Sequence, residues 1–181
     1  AAGLASALEK GQLSTRRAYG VALMSIGADP RVVATDGDVK NSTFADLFAK
    51  QFQDRYFEAR IAEQNMVTAA VGLAAGGKIP FASTFAKFLI RALDQVEMAA
   101  ITNANVKLVG SHAGISLAAD GPSQMGVSDV AFFRALAHAR RVDGSPACRT
   151  FLPSDAMSAF KLTELMANID GLCYMRTHRP D

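Results

Sequence analysis

One acidic residue stands at the head of a very apolar segment, and aromatic residues follow it about one helix later. Glu63 precedes Met66, Val67 and a run of alanines, and Phe85 and Phe88 come next. A buried Glu63 with few counter-charges nearby is expected to have a raised pKa and to hold or share a proton near neutral pH. Phenylalanine rings supply a flat apolar wall. The combination suits a planar ring that carries a basic nitrogen.

Each of these residues also has a purely structural interpretation. A glutamate in the first turn of a helix complements the helix dipole, and phenylalanines are more often core residues than walls of a ligand site. The Ser-His-Ala-Gly sequence at 111–114 is compatible with a simple turn, and His178 with a surface residue. No single residue establishes a site.

Composition restricts the class of protein. The chain has 181 residues, of which 50% are hydrophobic and 20% charged, as in one α/β domain with a full core. The formal net charge is +2 with mixed signs, which argues against nucleic-acid binding. The apolar runs are too short and too interrupted for a membrane span. Cys148 and Cys173 form no CxxC motif, so we expect reduced thiols and a cytoplasmic location.

Two catalytic or nucleotide-binding motifs fail at a decisive position. Residues 72–79 match a phosphate-binding loop except at Ile79, where a Ser or Thr hydroxyl would contact Mg²⁺. No G-x-S-x-G sequence surrounds Ser111 or Ser116, which excludes the usual serine hydrolase elbow. The histidines lack the spacing of zinc ligands. A nucleotide-binding Rossmann domain is the generic alternative, and the missing G-x-G-x-x-G counts against it.

Strands and helices alternate along the sequence. Strands are predicted at 31–35, 55–59, 79–82, 106–110, 148–152 and 171–175. Helices are predicted from Ser14, as N-cap, to about 27, and at 62–76, 84–103, 128–139 and 154–168. This alternation predicts a doubly wound, mostly parallel sheet with helices on both faces. We expect residues 1–13 to be a linker and 14–181 to be one domain.

Polar clusters follow the predicted strands. They lie at 36–42, around Glu63 and at 111–124. Open α/β sheets bind ligands outside the carboxyl ends of their strands, so these clusters are candidates for one site. The stretch 139–145 is longer than the connection to the next strand requires, and it is predicted to be a surface loop insertion.

A series of short motifs, in order, resembles the pyrimidine-binding domain of the transketolase family. The motifs are DGDVKNSTF at 36–44, IAEQNM at 61–66, FASTF at 81–85, RALDQ at 91–95, GSHAG at 110–114, DGPSQM at 120–125 and RTHRP at 176–180. The resemblance covers about residues 14–180 and is greatest for the animal-type enzymes. It implies a transferase of the pentose phosphate pathway that moves a two-carbon ketol unit between sugar phosphates.

The resemblance also implies a cofactor and a role for each site residue. The cofactor is thiamine diphosphate with Mg²⁺ or Ca²⁺, in a homodimer of the full-length enzyme. Glu63 would contact ring nitrogen N1′ of the aminopyrimidine, where a shared proton favours the imino tautomer. The other cofactor contacts would be Phe85, Phe88, Gln124 and Asp38. The sugar phosphate would be bound by Arg16, Ser42, His112 and Arg179, with Asp120 on a substrate hydroxyl.

The metal site is expected outside this chain. Asp36, Asp38 and Asn41 only faintly echo the metal–diphosphate motif of thiamine enzymes, because the asparagine follows too soon. The chain alone is therefore predicted to be inactive without a diphosphate-binding domain. The face around Glu63, Phe85 and Phe88 is then predicted to be an apolar exposed patch.

Alternatives remain within and outside this chemistry. Deoxyxylulose-phosphate synthases typically carry Asp-Arg where this chain has Ser111-His112, and the β-type subunits of 2-oxoacid dehydrogenases lack the phosphate-binding residues. A non-catalytic transketolase-like dimerisation module is the alternative from another class. Gln124 replaces a histidine that many transketolases carry, and an amide cannot shuttle a proton.

Overall fold

The strands form a single parallel sheet in the computed structural model, which describes Ser6 and residues 13–180. Its strands are β1 Val32–Asp36, β2 Tyr56–Glu58, β3 Ile79–Phe85, β4 Lys107–Ser111, β5 Cys148–Phe151 and β6 Leu172–Arg176. Their order across the sheet is β2-β1-β3-β4-β6-β5, and every neighbouring pair is parallel. The predicted α/β fold is confirmed. Apart from Ser6 and Leu13, the predicted linker lies outside the described residues.

Helices connect the strands. They are α1 Thr15–Ile26, α2 Lys40–Thr43, α3 Asp46–Gln51, α4 Glu63–Ala75, α5 Ala86–Leu89, α6 Leu93–Ile101, α7 Asp129–His138 and α8 Ala156–Asn168. Short 3₁₀ turns lie at Gln53–Arg55, Ile90–Ala92, Ala118–Asp120 and Pro122–Gln124. None of the helices among the described residues combines the length and the apolar character needed to cross a membrane.

The sheet lies between two helical layers, because alternate side chains of each strand point to opposite faces. On one face, Leu108 and Tyr174 pack with residues of α4, α6 and α7. On the other face, Phe81 and Val109 pack with residues of α1, α3 and α8. Both faces are therefore covered, as a parallel sheet requires.

The boundary between β3 and the next helix differs from the prediction. The strand continues to Phe85 instead of ending at 82, because Ser83–Phe85 extend the pairing with β4. The predicted helix 84–103 is divided into α5, a 3₁₀ turn at Ile90–Ala92 and α6. The hydrogen bonds of the neighbouring strand outweigh the local helical pattern here.

Two smaller features also correct the sequence analysis. Ser14 occupies the N-cap position of α1, but its buried hydroxyl makes no hydrogen bond in the structure. Thr15 makes the long-range contact instead, because its hydroxyl accepts a hydrogen bond from the backbone N–H of His178 at 2.8 Å. The segment 36–42, predicted as loop, contains most of α2. Cys148 and Cys173 are both free and buried.

Candidate active site

The candidate residues lie at the carboxyl edge of the sheet. Strands β1, β3, β4 and β6 end there at Asp36, Phe85, Ser111 and Arg176. The loops that follow these strands carry most of the residues that the sequence predicts for the site. The parallel arrangement therefore collects residues that are far apart in sequence.

Glu63 is buried and ion-paired. It is the first residue of α4, and only 3% of its surface is exposed. Nη1 of Arg91 donates a hydrogen bond to its Oε1 at 3.0 Å. The expectation of a carboxyl with few counter-charges nearby is therefore wrong. Arg91 comes from the Ile90–Ala92 turn, and nothing local in the sequence indicates that this turn packs against the start of α4.

Aromatic rings continue from this ion pair along the edge of the sheet. The ring of Phe88 stacks on that of Phe85, with centroids 5.2 Å apart and an interplanar angle of 15°. Phe85 in turn stacks on the imidazole of His112 at 4.0 Å. The guanidinium carbon of Arg91 lies 4.7 Å from the centroid of Phe88. The strip Glu63–Arg91–Phe88–Phe85–His112 is continuous, and we call it the aromatic strip.

The predicted apolar exposed patch is wrong in this form. Phe85 is buried, with 6% of its surface exposed, as is Glu63. Phe88 is half-buried, and Arg91 lies over its ring. Phe85 is buried at the end of β3, and Arg91 lies over Phe88. Together these two features cover the surface that the sequence predicted to be exposed.

Arg91 lines two cavities. One, of about 440 Å³, is lined by Ile61, Ala62, Glu63, Gln64 and Arg91. The other, of about 280 Å³, is lined by Lys87, Phe88, Ile90, Arg91 and Ser123. The acidic end and the aromatic part of the strip are therefore each next to open space.

The residues predicted to bind phosphate come together at the other end of the strip. Nε of Arg16 donates to the carbonyl of Arg179 at 3.0 Å, and its Nη1 donates to the carbonyl of Ser42 at 3.2 Å. Nη1 of Arg179 donates to the carbonyl of Leu117 at 2.6 Å and reaches Oδ2 of Asp120 at 3.4 Å. Both ends of the chain thus contribute an arginine to one basic cluster.

His112 lies between the aromatic strip and this cluster. It is buried, it has a left-handed φ of 54°, and its Nδ1 is 2.9 Å from the hydroxyl oxygen of Ser111. Burial, together with the charges of Arg16 and Arg179, lowers the pKa of His112 to about 4. The imidazole is therefore neutral at physiological pH and keeps one nitrogen able to accept a hydrogen bond.

The remaining two predicted residues lie at the rim. Asp38 is exposed, has a left-handed φ of 65°, and its backbone N–H donates to Oε1 of Glu58 at 3.0 Å. Gln124 is half-buried at the end of a 3₁₀ turn, next to Ser123, which lines the cavity at Phe88. Among the described residues, neither side chain makes a hydrogen bond or a ring contact with the aromatic strip.

A buried ion pair that the sequence did not indicate holds one of the site loops. Nε of Arg176 donates to Oδ2 of Asp129 at 2.7 Å, and the hydroxyl of Tyr174 donates to the same oxygen at 2.6 Å. Nη2 of Arg176 also donates to the carbonyl of Gly126, which pairs with Ala113 and Gly114. This network fixes the end of the loop that carries His112 and Asp120, where Gly126 pairs with the start of the same loop. No sequence signal indicates it, because the partners lie 47 positions apart.

The described residues fit one half of thiamine diphosphate. The buried carboxyl of Glu63 offers a partner for a ring nitrogen, and Phe85 and Phe88 offer a stacking surface next to a cavity. Within the part of the chain that the structure describes, no three His, Cys, Asp or Glu side chains come close enough to hold a metal ion. The side chains of Glu63, Phe85 and Phe88 suit a pyrimidine ring.

Comparison with known proteins identifies the family. The profile of the transketolase pyrimidine-binding domain matches residues 11–181. Transketolase from Mus musculus is 49% identical over 94% of this chain, and transketolase from Homo sapiens is 48% identical over the same share. Transketolase-like protein 1 from Bos taurus is 48% identical over 93%. The chain spans about a quarter of these relatives, 26% of the first two and 27% of the third.

Solved structures agree with the sequence comparison. A chain described as a split-gene transketolase, an inactive β4 tetramer, is 36% identical with a TM-score of 0.76, and the match covers 93% of this chain and 53% of that one. Transketolase from Leishmania mexicana is 27% identical with a TM-score of 0.78, over 92% of this chain and 25% of that one. The chain belongs to the transketolase pyrimidine-binding domain family.

Proposed function

We propose that residues 14–181 form the pyrimidine-binding domain of a transketolase, and that residues 1–13 are a linker from an earlier domain. The enzyme would transfer a two-carbon ketol unit between sugar phosphates. The observation that carries the proposal is the arrangement along the aromatic strip. A buried carboxyl lies at one end, two stacked phenylalanines lie in the middle, and a histidine with two arginines lies at the other end.

Glu63 and the phenylalanines would hold the cofactor. Thiamine diphosphate, when bound, supplies the nucleophilic carbon that carries the transferred unit. Glu63 would hold a proton at N1′, and Phe85 and Phe88 would pack against the pyrimidine ring. Gln124 would hydrogen-bond the amino or imino group of the pyrimidine. Asp38 would contact the cofactor or a partner subunit. For N1′ to reach Glu63, Arg91 has to share the carboxyl or move away, because it holds Oε1.

The basic cluster would bind the sugar phosphate. Arg16 and Arg179 supply charge-assisted hydrogen bonds to phosphate oxygens, with Ser42 and His112 beside them. Because the imidazole is neutral, His112 can accept a hydrogen bond from a sugar hydroxyl. Asp120 would bind a further hydroxyl, and its present partner, Arg179, is half-exposed and able to exchange it for a ligand.

The complete enzyme is proposed to need more than this chain. The Mg²⁺ or Ca²⁺ and its diphosphate ligands would lie on another domain, and the working form would be a cytoplasmic homodimer of the pentose phosphate pathway. The small share of the relatives that this chain spans supports a missing domain. So does the relative that is described as an inactive tetramer, of which this chain covers 53%.

Relatives named transketolase and relatives named transketolase-like protein resemble this chain equally in overall identity. Transketolase from Homo sapiens and transketolase-like protein 1 from Bos taurus are both 48% identical, so identity does not separate an enzyme from a transketolase-like module. The presence of Glu63, His112, Asp120 and both arginines in one site favours the enzyme. The hydrogen-bonded Ser111–His112 pair favours a transketolase over a deoxyxylulose-phosphate synthase.

Reconstitution tests the proposal. The isolated chain should neither bind thiamine diphosphate appreciably nor turn over xylulose 5-phosphate, and adding the diphosphate-binding domain with Mg²⁺ should restore both. Calorimetry with NAD is the control for a nucleotide-binding Rossmann domain. Robust turnover by the isolated chain would contradict the missing metal site. Binding of NAD without thiamine diphosphate would contradict the proposed function itself.

A further inference from the structure

Asp36 closes a turn next to the basic cluster. It is the last residue of β1 and is fully buried. Its Oδ1 accepts a hydrogen bond from the backbone N–H of Val39, and its Oδ2 accepts one from the hydroxyl of Thr43, both at 2.6 Å. One carboxyl therefore holds both ends of the segment 39–43.

That segment and the residue after it, Phe44, each contact Arg16. The carbonyl of Ser42 accepts a hydrogen bond from Nη1 of Arg16. Phe44, which follows with a left-handed φ of 63°, has its ring 5.2 Å from the guanidinium carbon of Arg16. Helix α1, which carries Arg16, packs closely on the same turn, since a Cβ at Gly20 would lie 2.4 Å from Cβ of Phe44. A shift of the turn therefore displaces the contacts that orient Arg16.

We propose that Asp36 is a positioning residue for the phosphate site, and that its ionised carboxylate orients Arg16 by holding the 39–43 turn. The inference rests on the proposed function and names a residue that touches neither substrate nor cofactor. A carboxylate accepts at both oxygens, whereas the protonated acid uses one oxygen as a donor. A proton on Oδ2 can be donated to the hydroxyl of Thr43, while Oδ1 still accepts from the backbone N–H of Val39. Both hydrogen bonds then lose the charge of the carboxylate, which makes them weaker. Protonation of Asp36 therefore weakens the turn.

The ionisation of Asp36 falls in the neutral range. Burial raises its pKa to about 7, against the hydrogen bonds from Thr43 and Val39, which lower it. Glu58 of β2 raises the pKa of Asp36 further, and Lys40 of α2 lowers it. Lys40 and Glu58 form an ion pair at 3.2 Å.

Two tyrosines also face Asp36, Tyr19 from α1 and Tyr56 from β2. Burial raises the pKa of both, and the charge of Asp36 raises each further. Both phenols therefore stay neutral in the range in which Asp36 titrates. If phosphate affinity changes with pH in the wild type but not in Asp36→Asn, the change is then assigned to Asp36 itself.

The test compares acceptors with and without a phosphate in the complete enzyme, this chain together with its diphosphate-binding domain. Asp36→Asn should raise KM for a phosphorylated aldose about tenfold, but KM for glycolaldehyde much less. Between about pH 8 and pH 6, the wild-type KM for the phosphorylated acceptor should rise more steeply than that of the variant. Ionisation of the phosphate itself, with a pKa of about 6, is common to both proteins and cancels.

Two further variants separate positioning from folding. Asp29→Asn is the matched control, because this half-exposed carboxylate lies before the amino end of β1 and, among the described residues, hydrogen-bonds only Arg31. It should keep the wild-type KM values and pH profile. Thr43→Val removes one hydrogen bond without removing the titrating group. It should raise KM for the phosphorylated acceptor and leave KM dependent on pH, with the transition at higher pH because the hydrogen bond from Thr43 lowers the pKa of Asp36.

The outcomes distinguish this inference from the proposed function. Equal losses for both acceptors in Asp36→Asn, or a pH profile like that of the wild type, would overturn the inference. If Asp36→Asn fails to fold, an unchanged KM in Thr43→Val overturns it. If the wild type shows no transketolase turnover, the proposed function fails. Calorimetric binding of inorganic phosphate to the same proteins then decides the role of Asp36, and equal affinities in wild type and Thr43→Val would overturn it.

Discussion

Replacing Glu63 by glutamine separates the chemistry of the site from its stability. The substitution keeps the size of the side chain, and the amide oxygen can still accept from Nη1 of Arg91. A hydrogen bond to a charged group contributes about 1.5–3 kcal/mol. Here the guanidinium side chain is 53% exposed and regains water, so we expect the free energy of unfolding to fall by about 1 kcal/mol or less. The variant should therefore fold.

The chemical effect should be much larger. An amide cannot hold the proton at N1′, and acid–base contributions are on the order of 10²-fold or more, about 2.7 kcal/mol of activation free energy. In the reconstituted enzyme, deuterium exchange at the thiazolium carbon should slow by that factor, as followed by NMR after quenching. Glu164→Gln, which removes the charge of Glu164 in its pair with Lys161, is the matched control and should exchange normally. Exchange in Glu63→Gln as fast as in the wild type would refute the assignment.

Two further predictions concern the basic cluster. Arg179→Ala should raise KM for phosphorylated acceptors more than for glycolaldehyde, by a factor that corresponds to about 1–3 kcal/mol, because a charged hydrogen bond to phosphate is lost. Arg149→Ala on the edge strand β5 is the control. Equal losses for both acceptors would count against the proposed role of Arg179. The pKa of His112 is about 4 in the folded chain, whereas an unperturbed histidine, as in the unfolded chain, has a pKa of about 6.5. The folded form therefore binds fewer protons between these values, and stability should fall as pH drops through this window. In urea denaturation, the free energy of unfolding of His112→Gln should fall with pH by roughly 1–3 kcal/mol less than that of the wild type. Parallel curves of stability against pH for the two proteins would contradict this prediction.

The sheet was predictable because its buried strands are short apolar runs between helical segments. Even so, the most regular run contains Lys107, whose side chain is fully buried. Its Nζ donates to the carbonyls of Ile169 and Gly171 at 2.6 and 2.8 Å, beyond the end of α8. The strand therefore tolerates a lysine because the connection between α8 and β6 supplies acceptors. Local sequence cannot show this, because the partners lie more than sixty positions away.

The sequence predicted which polar residues gather at one edge of the sheet, but only part of their contacts. Strand ends placed Ser42, His112 and Asp120 at one edge, and the motif resemblance supplied their proposed roles. The pairing of Glu63 with Arg91 was missed because it depends on packing between α4 and a 3₁₀ turn 28 positions later. Sequence patterns report faces and periods of single elements. They do not report which turn lies against which helix.

The strand order explains why the site forms at this part of the edge. After β1 the chain goes to β2 on one side, and it then returns to β3 on the other side of β1. Phe48 of α3 packs on one face of the sheet, whereas Met66 and Val67 of α4 pack on the other. The connections therefore leave β1 and enter β3 on opposite faces, and such a switch point leaves a crevice at the carboxyl ends of the two strands. Asp36 and Phe85 end the two strands that border it, so the turn that orients Arg16 and the wall proposed for the pyrimidine are built on neighbouring strands.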